Sequence, residues 1–151
     1  MSNRETELYL PVKEYLEELG FKVDAEVRGC DVVASLNSRI IIVELKNRFS
    51  LKLLYQAVER QEISKTVYVA IGNRTTKQYP PDIDKIKKLL ARLNIGLLIV
   101  HFRIAGTFVE PVLEPQQAQT GVNKKKRASL LKELDGRYHN FNTGGSPSSK
   151  K

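Results

Sequence analysis

Residues 30–46 read CDVVASLNSRIIIVELK, and the way this stretch bends decides the fold. An acid stands at Asp31, a turn signal at Asn37–Ser38, and a β-branched run then ends in Glu44-Leu45-Lys46. Twelve residues separate Asp31 from Glu44. As a hairpin, that spacing returns the second strand to the point where the first began, with the two carboxylates side by side. Side chains alternate along a strand, so Ile40, Ile42, Glu44 and Lys46 share one face, and Ile41, Val43 and Leu45 share the other. A strand this apolar is expected in the middle of a sheet, covered on both sides. Ionisable groups on a buried face are costly unless paired or bound to a cation. A carboxylate pair that collects Mg²⁺, with a lysine beside it, meets that requirement. The plainer alternative is a buried Glu44–Lys46 salt bridge, with Asp31 as a turn residue.

Around this ribbon the elements alternate. Leu8, Val12, Tyr15, Leu16 and Leu19 fall on one helical stripe over residues 4–19, with Gly20 as a stop. Pro11 lies inside that pattern, so a kink or a late start is expected there. Residues 21–27 alternate as a strand with one wet face, and Arg28-Gly29 turns the chain into Asp31. Arg28 is either a phosphate contact or simply exposed. Ser50 is a candidate N-cap for a helix over 51–63, with Leu51, Leu54, Ala57 and Val58 as its apolar positions. Thr66–Ile71 reads as a short buried strand. A polar loop with Arg74 and Lys77 follows, and then a helix over 81–93 with Pro81 in its first turn. Its core stripe is Ile83, Ile86, Leu89, Leu90 and Leu93. Gly96–Val100 is another buried strand ending at His101, which is expected to be a packed or exposed histidine. Thr107–Val112 is an edge strand marked by Pro111.

The order and its residues resemble the PD-(D/E)xK nuclease superfamily. Asp31 matches the first acid and Glu44-Leu45-Lys46 the ExK half; Cys30 stands where the eponymous proline would be. More closely, ETELYLPVKEYLEELGFKV, the GCDVVA turn and the YQAVERQ helix resemble a bacterial family of PD-(D/E)xK-type phosphodiesterases. The resemblance covers Glu5 to about Ile71. It implies an α/β fold with a restriction-endonuclease-like αβββαβ core: a mixed sheet flanked by helices, here with one extra α-β unit and a basic C-terminal helix and tail. It implies Mg²⁺ or Mn²⁺ on Asp31, Glu44, the Leu45 carbonyl and Glu5, with Lys46 orienting a water or neutralising an oxyanion. It implies phosphodiester hydrolysis in nucleic acid, DNA rather than RNA, leaving a 5′-phosphate. Gln56 is the helix glutamine that related nucleases place beside the site, ahead of Gln61 and Arg60. From the sequence itself, Glu5 reads equally as a first-turn acid that favours the helix dipole, and Gln56 as an exposed glutamine. Many related nucleases cut as dimers, which leaves a homodimer open.

Residues 1–112 are expected to form the nuclease-like domain, 113–122 a Pro/Gln/Thr/Gly linker, 123–136 a basic helix and 137–151 a disordered tail. In the basic helix, over about 124–135, Leu130, Leu131 and Leu134 form the apolar face and Gly136 closes it. Of the net charge of +8, residues 123–151 carry +6, from eight Lys/Arg against two acids. Such a tail binds nucleic acid through counterion release or serves as a solubilising segment. A chain of 151 residues is large enough to bury a core without staples. One cysteine excludes an internal disulfide, and with two histidines it argues against structural zinc. No run of about 18 apolar residues suggests a membrane span. No apolar signal segment follows MSNRETE, so a cytoplasmic location is expected. No internal repeat, P-loop, G-x-S-x-G or Rossmann fingerprint occurs. Two other functions stay open: a nucleic-acid-binding module on an inactive nuclease fold, and a subunit docked through its C-terminal helix.

Overall fold

The computed structural model describes residues 5–116 and 122–139. The chain divides into two units, Met1–Gln119 and Thr120–Lys151. The first is an α/β unit built in the order α1 (Thr6–Glu18), β1 (Lys22–Val27), β2 (Cys30–Leu36), β3 (Arg39–Lys46), α2 (Leu51–Arg60), β4 (Thr66–Asn73), α3 (Ile83–Arg92), β5 (Gly96–Arg103) and β6 (Gly106–Leu113). Its six strands form one mixed sheet in sequence order. β1, β2 and β3 make an antiparallel meander, β4 and β5 run parallel to β3, and β6 returns antiparallel along the far edge.

The helices cover both faces of the sheet. Leu8, Val12 and Leu16 of α1 are buried against Ile41, Val43 and Leu45. Leu53 and Ala57 of α2 and Ile86 and Leu90 of α3 pack on Ile42, Val67, Val69, Ile71, Leu97 and Ile99. Burying each such aliphatic side chain contributes about 1.5–3 kcal/mol. The alternation expected along β3 is present, and Glu44 belongs to the same set as Ile42, on the face that α2 and α3 cover.

Local chemistry explains the joints. α1 runs unbroken through Pro11. It ends in a Schellman arrangement: the Gly20 amide donates to Glu17 O at 2.9 Å and the Phe21 amide to Leu16 O at 3.1 Å. Gly20 takes φ 99°, which suits a residue without Cβ. Arg28 and Gly29 both have positive φ, 54° and 80°, as a two-residue hairpin turn of the I′ kind requires. Ser50 caps α2, its Oγ accepting from the Leu53 amide at 3.1 Å. Pro111 lies on the edge strand β6, where its missing N–H costs no ladder bond.

Several expected boundaries move. Pro81 stands just before Asp82, the N-cap of α3, instead of inside its first turn. α2 ends at Arg60, and its buried positions are Leu53 and Ala57; Leu51 is 80% exposed. β6 extends to Leu113, into the expected linker. The second unit contains α4 (Lys124–His139), capped by Asn123 Oδ1, which accepts from the Lys126 amide at 3.0 Å. Gly136 does not close this helix, which continues three residues further; one glycine costs about 1 kcal/mol in a helix without forcing a stop. Leu130, Leu131 and Leu134 are exposed on α4. Most of the expected tail, residues 140–151, lies outside the described residues, as does the Arg4 start expected for the first helix. Among the described residues, no helix is long and apolar enough to cross a membrane.

Candidate active site

The site grows out of the register of β2 and β3. Val32 pairs with Val43, so Asp31 and Glu44 are the next cross-strand neighbours, and opposed residues of an antiparallel pair project to the same face. Two bonds lock them together. The Asp31 amide donates to Glu44 Oε2 at 3.3 Å, and the Leu45 amide donates to Asp31 Oδ2 at 2.9 Å. Glu44 is 1% exposed and Asp31 is half-buried.

Two carboxylates side by side repel unless a cation joins them, and a cation from the chain does so. Arg60 Nε donates to Glu44 Oε2 at 3.0 Å, and Arg60 Nη2 donates to the Gly29 carbonyl at 2.8 Å. One guanidinium thus ties the end of α2 to the central strand and to the β1–β2 turn. Burial raises the Glu44 pKa above the ordinary carboxylate value, and the Asp31 charge pushes the same way; the bonds from Arg60 and the Asp31 amide offset this only in part.

Lys46 pairs with Glu5 instead of Glu44. Its Nζ lies 3.4 Å from Glu5 Oε2, and both side chains are about one-third exposed. Glu5 is the N-cap residue of α1, so that helix delivers a third carboxylate to the C-terminal end of β3. The Glu44–Lys46 salt bridge considered from sequence is replaced by two separate pairs, Glu44–Arg60 and Lys46–Glu5. Leu45 is buried in the core facing α1, so only its backbone is available to the site.

Gln56 does not join these bonds; it is half-buried on α2. Gln61 donates to the Leu93 carbonyl at 2.7 Å and so ties the end of α2 to the end of α3. Arg28 is exposed in its turn. His101 is buried in a separate network, with Nε2 2.8 Å from Glu110 Oε1 and Nδ1 3.2 Å from Asn73 Nδ2. The resemblance puts Gln56 ahead of Arg60, but the structure brings Arg60, not Gln56, to Glu44. With Leu53 and Ala57 as the buried positions, Arg60 follows at i+7 on the same face.

The donor chemistry suits a hard divalent ion. Asp31 Oδ1 and Glu44 Oε1 receive no hydrogen bond from any described residue, while the partner oxygen of each is held in place. Among the described residues, no group of three or more His, Cys, Asp or Glu side chains is close enough to hold a metal, so protein carboxylates alone supply two ligands and carbonyls or waters would complete the shell. No family model, no curated protein and no solved structure matches the chain.

Proposed function

We propose that the chain is a metal-dependent phosphodiesterase that hydrolyses nucleic acid, with DNA the expected substrate. The observation that supports this best is the convergence of Asp31 and Glu44 through the bonds of 3.3 and 2.9 Å, with Lys46 on the next same-face position of β3. Asp31, Glu44 and the Leu45 carbonyl would hold Mg²⁺ or Mn²⁺, with Glu5 beside them; the ion would acidify a bound water and offset charge building on the phosphate. Lys46, paired with Glu5 at 3.4 Å, would orient such a water and donate to the developing oxyanion. Arg60 offsets part of the cost of a charge on Glu44 and holds its carboxylate in place. The αβββαβ arrangement of the first six elements agrees with the restriction-endonuclease-like core.

The test is a panel of labelled single-stranded, duplex and branched DNA and RNA, incubated with Mg²⁺, Mn²⁺ or EDTA. Cleavage that needs the divalent ion and disappears in Asp31→Ala and Lys46→Ala supports the enzyme. A second possibility is a nucleic-acid-binding module without turnover. It draws on the Arg60 guanidinium, which already provides Glu44 with a positive charge. Salt-sensitive binding with no cleavage in either metal would favour it.

A further inference from the structure

α2 is covered on one side only. Leu53 and Ala57 are buried against the sheet, while Leu51, Tyr55 and Val58, on the side turned away from it, are 80%, 64% and 39% exposed. At helical spacing these three form one stripe. The stripe runs on into Glu59 and, in the turn that closes the helix, Glu62, both exposed. Single exposed apolar side chains are ordinary, but a contiguous set marks a contact surface.

α4 carries the complementary pattern. Among the described residues it is the one helix or strand of the second unit. Leu130, Leu131 and Leu134 are exposed along one stripe, and Arg127 and Lys124 continue that stripe toward the helix N-terminus. A lone helix of about four turns has little stability of its own in water, and packing of an apolar face supplies the rest.

We propose that the exposed face of α2 receives the α4 helix of a second copy of this chain, antiparallel and reciprocally, so that two chains form a symmetric dimer. In that orientation the leucines of the second copy's α4 cover Leu51 and Tyr55, its Arg127 meets Glu59 and its Lys124 meets Glu62. Leu51 and Glu62 are eleven positions apart, and Lys124 and Leu134 ten, so both ends fit at about 1.5 Å per residue. In a parallel orientation each charged end would fall on apolar side chains. Both stripes are exposed in the single chain, and a second copy offers each of them its complement. One short helix pair falls short of the roughly 1,200 Å² that a stable interface buries; two-fold symmetry makes the contact twice. Ten residues separate Leu113 from Lys124, chain enough to span up to about 35 Å. The inner side of α2 carries Arg60 to Glu44, so the dimer would brace the helix that holds the acid pair, whether or not the pair cleaves phosphodiesters.

Light scattering on the full chain as it elutes from a sizing column, across the micromolar range, tests this. The native chain is expected at twice its 17.1 kDa. Glu59→Lys/Glu62→Lys sets like charges together at both contacts, as does Lys124→Glu/Arg127→Glu, and each is expected to weaken the dimer on the order of 100-fold. Both changes suit their helix dipoles, a base at the end of α2 and an acid at the start of α4, so loss of the dimer is not loss of the helix. An equimolar mixture of the two variants restores opposite charges at both contacts and is expected to dimerise again. A monomeric native chain overturns the proposal, as does a dimer that neither reversal weakens or a mixture that stays monomeric. A chain that is monomeric alone and gains mass only with an added oligonucleotide also overturns it, and assigns Lys124 and Arg127 to phosphate.

Discussion

Arg60 and Glu44, sixteen residues apart, meet at 3.0 Å beneath α2, and Glu44 keeps only 1% of its side chain exposed. Removal of one partner leaves a buried acid without its cation, which typically costs about 3–5 kcal/mol. Arg60→Ala is therefore expected to lose about 3 kcal/mol of stability in EDTA, measured by urea unfolding. A divalent ion that binds between Asp31 and Glu44 would replace the missing charge. Mn²⁺ is expected to raise the urea midpoint of Arg60→Ala more than that of the native chain. Equal shifts would show that no ion settles on this pair.

The pH dependence follows from the same burial. Burial chiefly raises the Glu44 pKa above the ordinary carboxylate value, so between the unfolded and folded values the folded state holds a proton that the unfolded chain releases. Its contribution to stability is complete below pH 4.5 and is lost as pH rises through the folded value. Glu44→Gln keeps the shape and cannot titrate. As pH rises from the unfolded value through the folded one, the native chain is expected to lose stability relative to Glu44→Gln. Chemical denaturation at several pH values checks this, and parallel profiles would contradict it.

The hairpin was legible because everything that builds it is local. The turn residues at Asn37–Ser38, the alternation of Ile40–Lys46 and the twelve intervening residues specify a register, and the register brings Asp31 to Glu44. The cap at Ser50 and the stop at Gly20 were legible for the same reason. Arg60 was not, since its role depends on how α2 lies on the sheet. A ten-residue helix with leucines at 51, 53 and 54 offers two neighbouring stripes, and only packing selects Leu53 and Ala57. Lys46 was placed on the right face, but its partner comes from the start of α1, and no spacing within one strand could point to Glu5. The His101–Glu110–Tyr79 network joins β5, β6 and the loop after β4, and likewise has no local signature.

Gly96 illustrates a constraint that packing imposes on a strand. A Cβ there would lie 2.5 Å from Tyr68 Cδ2 and 2.8 Å from Pro115 Cδ. The Tyr68 ring can move only by giving up its bond to Glu114. Gly96→Ala is expected to destabilise the fold by about 1–3 kcal/mol, read from the thermal midpoint. Trimming the obstructing ring in the Gly96→Ala/Tyr68→Leu double variant is expected to recover part of the loss. A Gly96→Ala chain as stable as the native one would show that the β4–β5 contact is looser than the distances imply.

Lys46 is the residue whose loss should separate chemistry from folding. It is about one-third exposed and its partner Glu5 is similarly open, so Lys46→Ala removes little packing and an ion pair of small worth. If its ammonium donates to charge that develops on the phosphate, its removal lowers turnover by about 10²–10³-fold while binding in EDTA stays within a few-fold. Glu5→Gln keeps the length of the side chain but releases the lysine from its charged partner. It is therefore expected to reduce kcat less than Lys46→Ala does, and to leave KM near the native value. Single-turnover cleavage of a labelled oligonucleotide in Mn²⁺ measures both. Equal turnover in native and Lys46→Ala chains would remove Lys46 from the chemistry and leave Asp31 and Glu44 as a structural pair held by Arg60.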